Sequence, residues 1–162
     1  MRITQWGEYA THFCIYFARI AKESANKTVT ATEIAEAHDI DQLYAQQILQ
    51  RLRKGNLILS TRGAHGGYHL SRPAKDISLR QILAAAEGET FEVICDSKPI
   101  DGTRCASGFD CSVRGIWQDL KTHIDDYLET KTLEDLSSSH NVPALDPKHL
   151  TLINAKRTTA AC

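Results

Sequence analysis

The strongest constraint on the fold of this chain is a pair of short helices with clear start signals. Thr30 and Glu33 have the spacing of a capping box, which predicts a helix over residues 31–37. Asp41 can cap a second helix, which is expected to end at Lys54 because a glycine follows. Two short helices joined by a tight turn form a helix-turn-helix.

A glycine-rich hairpin is expected directly after these helices. Residues 57–60 and 68–71 have the composition of two short strands, and three of the five residues in 63–67 are glycine, which suits a hairpin tip. Pro73 is expected to end the second strand. A capped helix over residues 79–86 follows. This order of elements is that of a winged helix-turn-helix domain.

Two longer helices flank this unit. Residues 5–24 carry an apolar stripe at helical spacing, and residues 112–130 carry another. The second helix would be about 28 Å long and has no following partner, so we expect it to mediate dimerisation; the alternative is that it folds back on its own domain. The predicted fold is mainly α with a small β-hairpin wing, comprising a winged helix-turn-helix domain (1–86), a cysteine-containing segment (87–111), a long dimerisation helix (112–136) and a disordered tail (137–162).

Composition predicts a soluble, cytoplasmic protein with no membrane partner. The chain is 42% hydrophobic and 24% charged, as is typical of globular domains. No apolar run approaches the roughly 18 residues that span a bilayer, and no secretion signal is apparent at the start. Cytoplasmic thiols are kept reduced, so clustered cysteines there indicate metal or redox chemistry more often than a structural disulfide.

Charge is distributed unevenly along the chain although the formal net charge is −1. From Gln42 to Lys75 there are six Lys or Arg residues and no Asp or Glu. From Glu87 to Asp135 there are twelve acids against five Lys or Arg residues. One part is therefore expected to attract phosphates while another repels them, which would orient the protein on a duplex. The alternative is chance clustering on solvated faces.

The second helix of the helix-turn-helix and the hairpin tip supply the candidate DNA contacts. Glutamine side chains can reach base edges and pair with adenine, and the basic end of the helix suits phosphate contacts. An arginine held out at the hairpin tip can enter the minor groove. Each glutamine taken alone could equally belong to a solvated helix face. The predicted DNA-binding residues are Gln42, Tyr44, Gln46, Gln50, Arg51, Arg53, Lys54, Arg62 and His65.

A segment without sustained periodicity contains three cysteines, Cys95, Cys105 and Cys111. Thiolates on an irregular loop can hold a soft metal centre, but three are one short of the usual four ligands. Glu8 and His12 on the first helix, or His38, are candidates for the fourth ligand, and each could instead be an ordinary polar residue. Free thiols and a structural zinc are alternatives. Cys14 lies within the helical pattern and is expected to be a small core residue.

These motifs together resemble those of one family. The residues that carry the resemblance are MRIT and GEYA at the start, Arg51-Leu-Arg-Lys54, Arg62-Gly-x-x-Gly-Gly-Tyr68, and three cysteines before a long helix. Over roughly residues 1–136 they resemble the IscR/NsrR group of the Rrf-two superfamily of bacterial regulators. The resemblance implies a homodimeric winged-helix repressor or activator that binds a palindromic operator and carries a [2Fe–2S] or [4Fe–4S] cluster. Members sense nitric oxide, iron or cluster supply, or redox state.

The resemblance also implies two possible ligand sets. Cys95, Cys105 and Cys111 match the family's cysteine triad, and Glu8 matches a carboxylate that the nitric-oxide sensors supply from helix 1 of the partner subunit. In the second set, Glu8 and His38 join Cys95 and Cys111, as in a redox-sensing relative. The triad with Glu8 is the favoured set.

The sequence thus predicts a DNA-binding transcription regulator whose operator affinity is controlled by an iron–sulfur cluster. The alternative is a cluster-free winged-helix regulator that switches by cysteine thiol oxidation. The chain contains no nucleophile–base set, phosphate-binding loop or HExxH motif, so it is not expected to be an enzyme.

Overall fold

The computed structural model of the protein describes residues 3–24, 27–63, 66–88 and 112–138. Within these residues the α-helices and strands in chain order are α1 (Gln5–Glu23), α2 (Ala31–Ala37), α3 (Gln42–Lys54), β1 (Ile58–Thr61), β2 (Gly67–Leu70), α4 (Leu79–Glu87), α5 (Ser112–Glu129) and α6 (Leu133–Ser138), with a short 3-10 helix (Ala74–Asp76) between β2 and α4. Of the predicted tail (137–162), Ser137 and Ser138 lie in α6 and residues from 139 onward lie outside the described residues. Four of the predicted site residues also lie outside them, namely His65, Cys95, Cys105 and Cys111.

Side-chain caps fix the starts of the two helices in the helix-turn-helix. The backbone N–H of Thr30 donates to Glu33 Oε2 at 2.7 Å, and the N–H of Glu33 donates to Thr30 Oγ1 at 3.2 Å. Asp41 Oδ1 accepts from the backbone N–H of Tyr44 at 3.1 Å. Such caps typically contribute about 1 kcal/mol each. The predicted starts of α2 and α3 are therefore confirmed.

The hairpin is antiparallel, with Thr61 opposite Gly67, and each strand lies one residue from its predicted position. Strand β2 also pairs, on its other side, with Val29 through two backbone hydrogen bonds of 2.9 and 2.7 Å to Tyr68. A Cβ atom on Gly67 would lie 2.8 Å from the carbonyl oxygen of Val29, so glycine is needed for this approach. The wing is thereby tied to the segment that leads into α2.

A single apolar cluster lies between α1, the helix-turn-helix and α4. Phe13 on α1, Ile48 on α3 and Ile82 on α4 are fully buried in it. Cys14 is also fully buried, and burial raises the pKa of its thiol to about 12. The prediction that Cys14 is a core residue is confirmed.

The chain after α5 turns back onto the domain and forms α6, which was not predicted. Thr132 Oγ1 donates to Asp135 Oδ2 at 2.6 Å and accepts from the N–H of Asp135 at 3.1 Å, which is a capping arrangement. Leu133 is fully buried, and its N–H donates to the carbonyl of Ile77 at 2.8 Å. This short helix therefore closes the core beside α1.

Helix α5 is anchored at one end and exposes apolar side chains along much of its length. Ser78 Oγ donates to Glu129 Oε2 at 2.9 Å, and Arg80 Nε lies 3.4 Å from Asp125 Oδ1. Five large apolar side chains on the helix are 40–63% exposed, namely Val113, Ile116, Trp117, Leu120 and Tyr127. We call these five residues the α5 apolar face. No helix within the described ranges is long and apolar enough to cross a membrane.

Candidate nucleic-acid interface and sensor junction

The exposed face of α3 is the candidate base-reading surface. The opposite side of the helix is fixed by four fully buried side chains, Ala45, Ile48, Leu49 and Leu52. Four exposed residues lie on the side of α3 opposite these buried ones, namely Leu43, Gln47, Gln50 and Lys54. They follow one another at spacings of three and four residues, so they share one face of the helix. We call these four residues the α3 reading face. A helix of this kind can enter a major groove with its outward side chains against the base edges.

The α3 reading face lies to one side of the stripe of residues that the sequence predicts. Gln42 Nε2 donates to Thr32 Oγ1 at 2.8 Å, so its amide is already engaged. Tyr44 packs edge-on against Trp6 and Tyr9, with ring centroids 5.0 and 5.7 Å apart. Gln46, Gln50 and Arg53 are exposed, as a DNA contact requires.

The DNA-binding residues predicted from the sequence do not include Leu43 and Gln47. Projecting the helix from its four buried positions would have found both, since these residues lie opposite the buried side.

Among the basic residues of α3 and the hairpin tip, one is bonded to another helix of the same domain, and three are exposed and make no such bond within the described residues. Arg51 donates from Nη1 to the carbonyl of Ala86, and its guanidinium carbon lies 4.3 Å from the ring centroid of Trp6. Arg53 and Lys54 at the end of α3 are exposed, as is Arg62 at the hairpin tip. These three are available for phosphate or groove contacts, whereas Arg51 holds two parts of the domain together.

Helices α1, α3 and α4 meet at the end of α4, just before the cysteine-containing segment. Glu87 Oε1, at the end of α4, accepts from the N–H of Thr4 at 2.8 Å and from the N–H of Gly7 at 2.9 Å. A carboxylate is favourable there because the start of a helix carries partial positive charge. Arg51 on α3 bonds to Ala86 in the same place. We use the name α1–α3–α4 junction for the five residues Thr4, Gly7, Arg51, Ala86 and Glu87. It connects the reading helix to the residues that lead into the cysteine segment.

The candidate ligands outside the cysteine segment lie on or near α1. Glu8 is exposed in the first turn of α1, and His12 follows one turn later, half-buried. Burial lowers the pKa of His12, and the neighbouring carboxylate of Glu8 partly opposes that shift. The structure thus places an accessible carboxylate beside the α1–α3–α4 junction.

His38 is placed differently from Glu8. It is buried at the end of α2, its Nδ1 lies 2.9 Å from the carbonyl oxygen of Ile34, and its ring packs against Phe13 and Tyr16. Burial lowers the pKa of His38. Because Nδ1 is engaged by this carbonyl, a metal would have to bind at Nε2 of the buried ring. Among the described residues no group of three His, Cys, Asp or Glu is arranged to hold a metal ion.

Comparison with known proteins decides the family. The chain matches the family described as Rrf2, iron-dependent transcriptional regulator, over residues 3–139. This chain belongs to the Rrf2 family. An HTH-type transcriptional regulator of Neisseria meningitidis is 34% identical over 141 residues, which cover 87% of this chain and 90% of that protein.

Two further similarities connect this Rrf2 chain to named regulators. The HTH-type transcriptional regulator IscR of Photobacterium profundum is 32% identical over 142 residues, covering 88% of this chain and 78% of that protein. The structure of CymR, the global cysteine regulator of B. subtilis, superposes with a TM-score of 0.66 at 25% identity, covering 87% of this chain and 99% of that one. Both similarities extend beyond the helix-turn-helix to most of the chain.

Membership of the Rrf2 family confirms the predicted resemblance and the predicted fold. The protein is a DNA-binding transcription regulator of mainly helical architecture with a two-stranded wing. The family and these relatives are regulators and not enzymes, as predicted.

Proposed function

We propose that this Rrf2 protein is a homodimeric regulator whose affinity for a palindromic operator is set by an iron–sulfur cluster, [2Fe–2S] or [4Fe–4S]. The proposed ligands are Cys95, Cys105 and Cys111 of one subunit and Glu8 of its twin. The observation that carries the proposal is the position of Glu8, exposed in the helical turn that contacts the end of α4 through Gly7. The proposed signals are redox state, nitric oxide, or iron and cluster supply, and the proposed location is the cytoplasm.

The donor chemistry fits such a group. Cysteine thiolates are the usual ligands of iron–sulfur clusters, and non-thiolate ligands occur where a cluster responds to its surroundings. Glu8 is exposed and can bind without leaving the core, whereas the ring of His38 is buried against Phe13 and Tyr16. We therefore favour Glu8 over His38. A bound cluster would supply redox-active iron with one ligand that is more weakly held than the thiolates.

The α5 apolar face supports the homodimer. Five adjacent large apolar side chains at 40–63% exposure on one helix form a patch of the kind that mediates association. In a two-fold dimer the same surface of each subunit packs against its copy, so the α5 apolar face of one chain would be covered by the α5 apolar face of the other. Two α3 reading faces related in this way would address half-sites about 34 Å apart.

The α1–α3–α4 junction gives a physical route from the cysteine segment to the DNA. Arg51 bonds to Ala86, and Glu87 holds the start of α1, so a shift in the residues that follow α4 displaces the end of that helix. Because Arg51 extends from α3, such a displacement tilts the reading helix relative to the domain. Couplings of this kind typically amount to about 1–3 kcal/mol.

A cluster-free regulator that responds through thiol oxidation is the second candidate. The similarity to CymR, described as a global cysteine regulator, favours it. In that case Cys95, Cys105 or Cys111 would be the reactive thiol. Cys14 is excluded from this role because it is fully buried and its pKa is raised to about 12 by burial.

We expect anaerobically purified protein to be coloured and to contain iron and acid-labile sulfide in equal amounts. Cys105→Ala should lose most of both because it removes one of the three proposed thiolate ligands, and Glu8→Ala should lose the cluster faster on exposure to air. Cys14→Ala is the matched control and should keep the wild-type content, since Cys14 lies in the core. Colourless wild-type protein without sulfide would contradict the proposal and favour thiol oxidation.

Mixed dimers test whether the ligands come from two subunits. A dimer of one Glu8→Ala chain and one Cys105→Ala chain retains a single complete ligand set only if Glu8 serves the partner. We expect the air-stable cluster content of such dimers to be about half that of the wild type. Content near zero would place all the ligands of each site within one chain.

A further inference from the structure

The α3 reading face contains one apolar side chain among polar ones. Leu43 is the second residue of α3 and is 62% exposed, close to the largest exposure of any large apolar side chain among the described residues. Gln47 lies one helical turn later on the same face, and Gln50 and Lys54 continue it. The core side of α3 is already filled by fully buried residues, so Leu43 has no role in packing the domain.

The position of Leu43 distinguishes it from ordinary exposed leucines, which are common on protein surfaces. Side chains in the first turns of a recognition helix are the ones that contact base edges. Every base pair offers hydrogen-bonding groups in the major groove, but the thymine C5-methyl is the feature that an apolar side chain recognises there. Lys54 lies on the same face, and Arg53 and Arg62 are also exposed, so a nucleic-acid surface would cover this side chain even though Asp41 caps the start of the helix.

We propose that Leu43 is a specificity-determining residue that contacts the C5-methyl group of one thymine in each half-site, beside an adenine read by Gln47. The two side chains are neighbours on α3, so they meet adjacent base pairs. A leucine at this position selects thymine over cytosine without a hydrogen bond. This inference rests on DNA binding through α3 and is independent of what controls the affinity.

The test replaces thymine by deoxyuridine, which removes the methyl group and leaves base pairing intact. A preferred duplex is first selected from random sequences with the wild-type full-length chain, and each thymine is then replaced in turn. We expect one position per half-site where the loss weakens wild-type binding about fourfold, as expected for one buried methyl group. The Leu43→Ala variant should bind the thymine and deoxyuridine duplexes within about 1.5-fold of each other at that position, since alanine is too short to reach the methyl group.

Two further variants make the result specific. Leu43→Met keeps an apolar side chain of similar reach and should retain most of the fourfold penalty. Gln50→Ala should weaken binding to the thymine duplex and to its deoxyuridine versions alike, and leave the penalty unchanged. Because Leu43 is exposed, both substitutions at position 43 should leave the thermal unfolding midpoint close to that of the wild type.

Two results would overturn the inference, namely a wild-type protein indifferent to every thymine methyl, or a penalty that survives in Leu43→Ala. If the wild type selects no duplex at all, binding through α3 is itself refuted, which is a distinguishable outcome.

Discussion

Replacing Gly7 with alanine is expected to lower the free energy of unfolding by about 2–4 kcal/mol. A Cβ atom at this position would overlap Glu87 Oε1 and would lie 2.9 Å from Leu83 Cδ2. The carboxylate of Glu87 would be displaced from the first turn of α1, so the N–H groups of Thr4 and Gly7 would lose their partner. Urea denaturation of the full chain measures the change.

Gly115→Ala is the matched control for this substitution. Gly115 also lies in a helix, and apart from its chain neighbours and the nearby backbone of α5, no atom of the described residues comes within 4 Å of a Cβ atom placed there. Alanine should therefore stabilise α5 by up to about 1 kcal/mol through its higher helix propensity. If Gly7→Ala were as stable as Gly115→Ala, the α1–α3–α4 junction would not exist as described.

Removing the two glutamines of the α3 reading face is expected to weaken specific DNA binding by about 2–6 kcal/mol. A glutamine that pairs with adenine in two hydrogen bonds contributes about 1–3 kcal/mol of discrimination, and Gln47→Ala with Gln50→Ala removes two such contacts. Binding to an unrelated duplex should change little, because it depends on phosphate contacts such as those of Lys54. Fluorescence anisotropy with selected and scrambled duplexes at one salt concentration separates the two effects.

Gln42→Ala is the control on the same helix. The amide of Gln42 bonds to Thr32, so its loss should change specific affinity by less than about 1 kcal/mol. The opposite ranking, with Gln42→Ala weaker than the double variant, would mean that α3 presents the stripe predicted from the sequence and not the α3 reading face.

The parts of the fold that could be predicted from the sequence are those set by local interactions. Thr30 and Glu33 cap α2 across three residues, and the wing glycines act within one hairpin, so both signals are visible in a short stretch. The same kind of signal was present but overlooked for α6, where Thr132 and Asp135 form the capping pair.

The four apolar positions of α3 indicate its buried side, but they do not decide which exposed residues contact DNA, because polar residues occupy nearly all the exposed positions. Four glutamines along one helix give several plausible stripes, and composition does not choose among them. The choice is made by tertiary packing, in which Tyr44 turns inward to Trp6 and Tyr9. The role of Arg51 depends similarly on Ala86, which lies 35 residues away in the chain.

The most direct test of cluster-controlled DNA binding compares two dissociation constants for one selected operator duplex. One is measured with the anaerobic, cluster-loaded protein, and the other with the same preparation after the cluster is removed. We predict that the two dissociation constants differ by about 5- to 150-fold, the range typical of coupled sites. Cys14→Ala should show the same difference, and Cys105→Ala should bind as the cluster-free protein in both conditions. Equal dissociation constants for the loaded and cluster-free wild type would contradict control by a cluster.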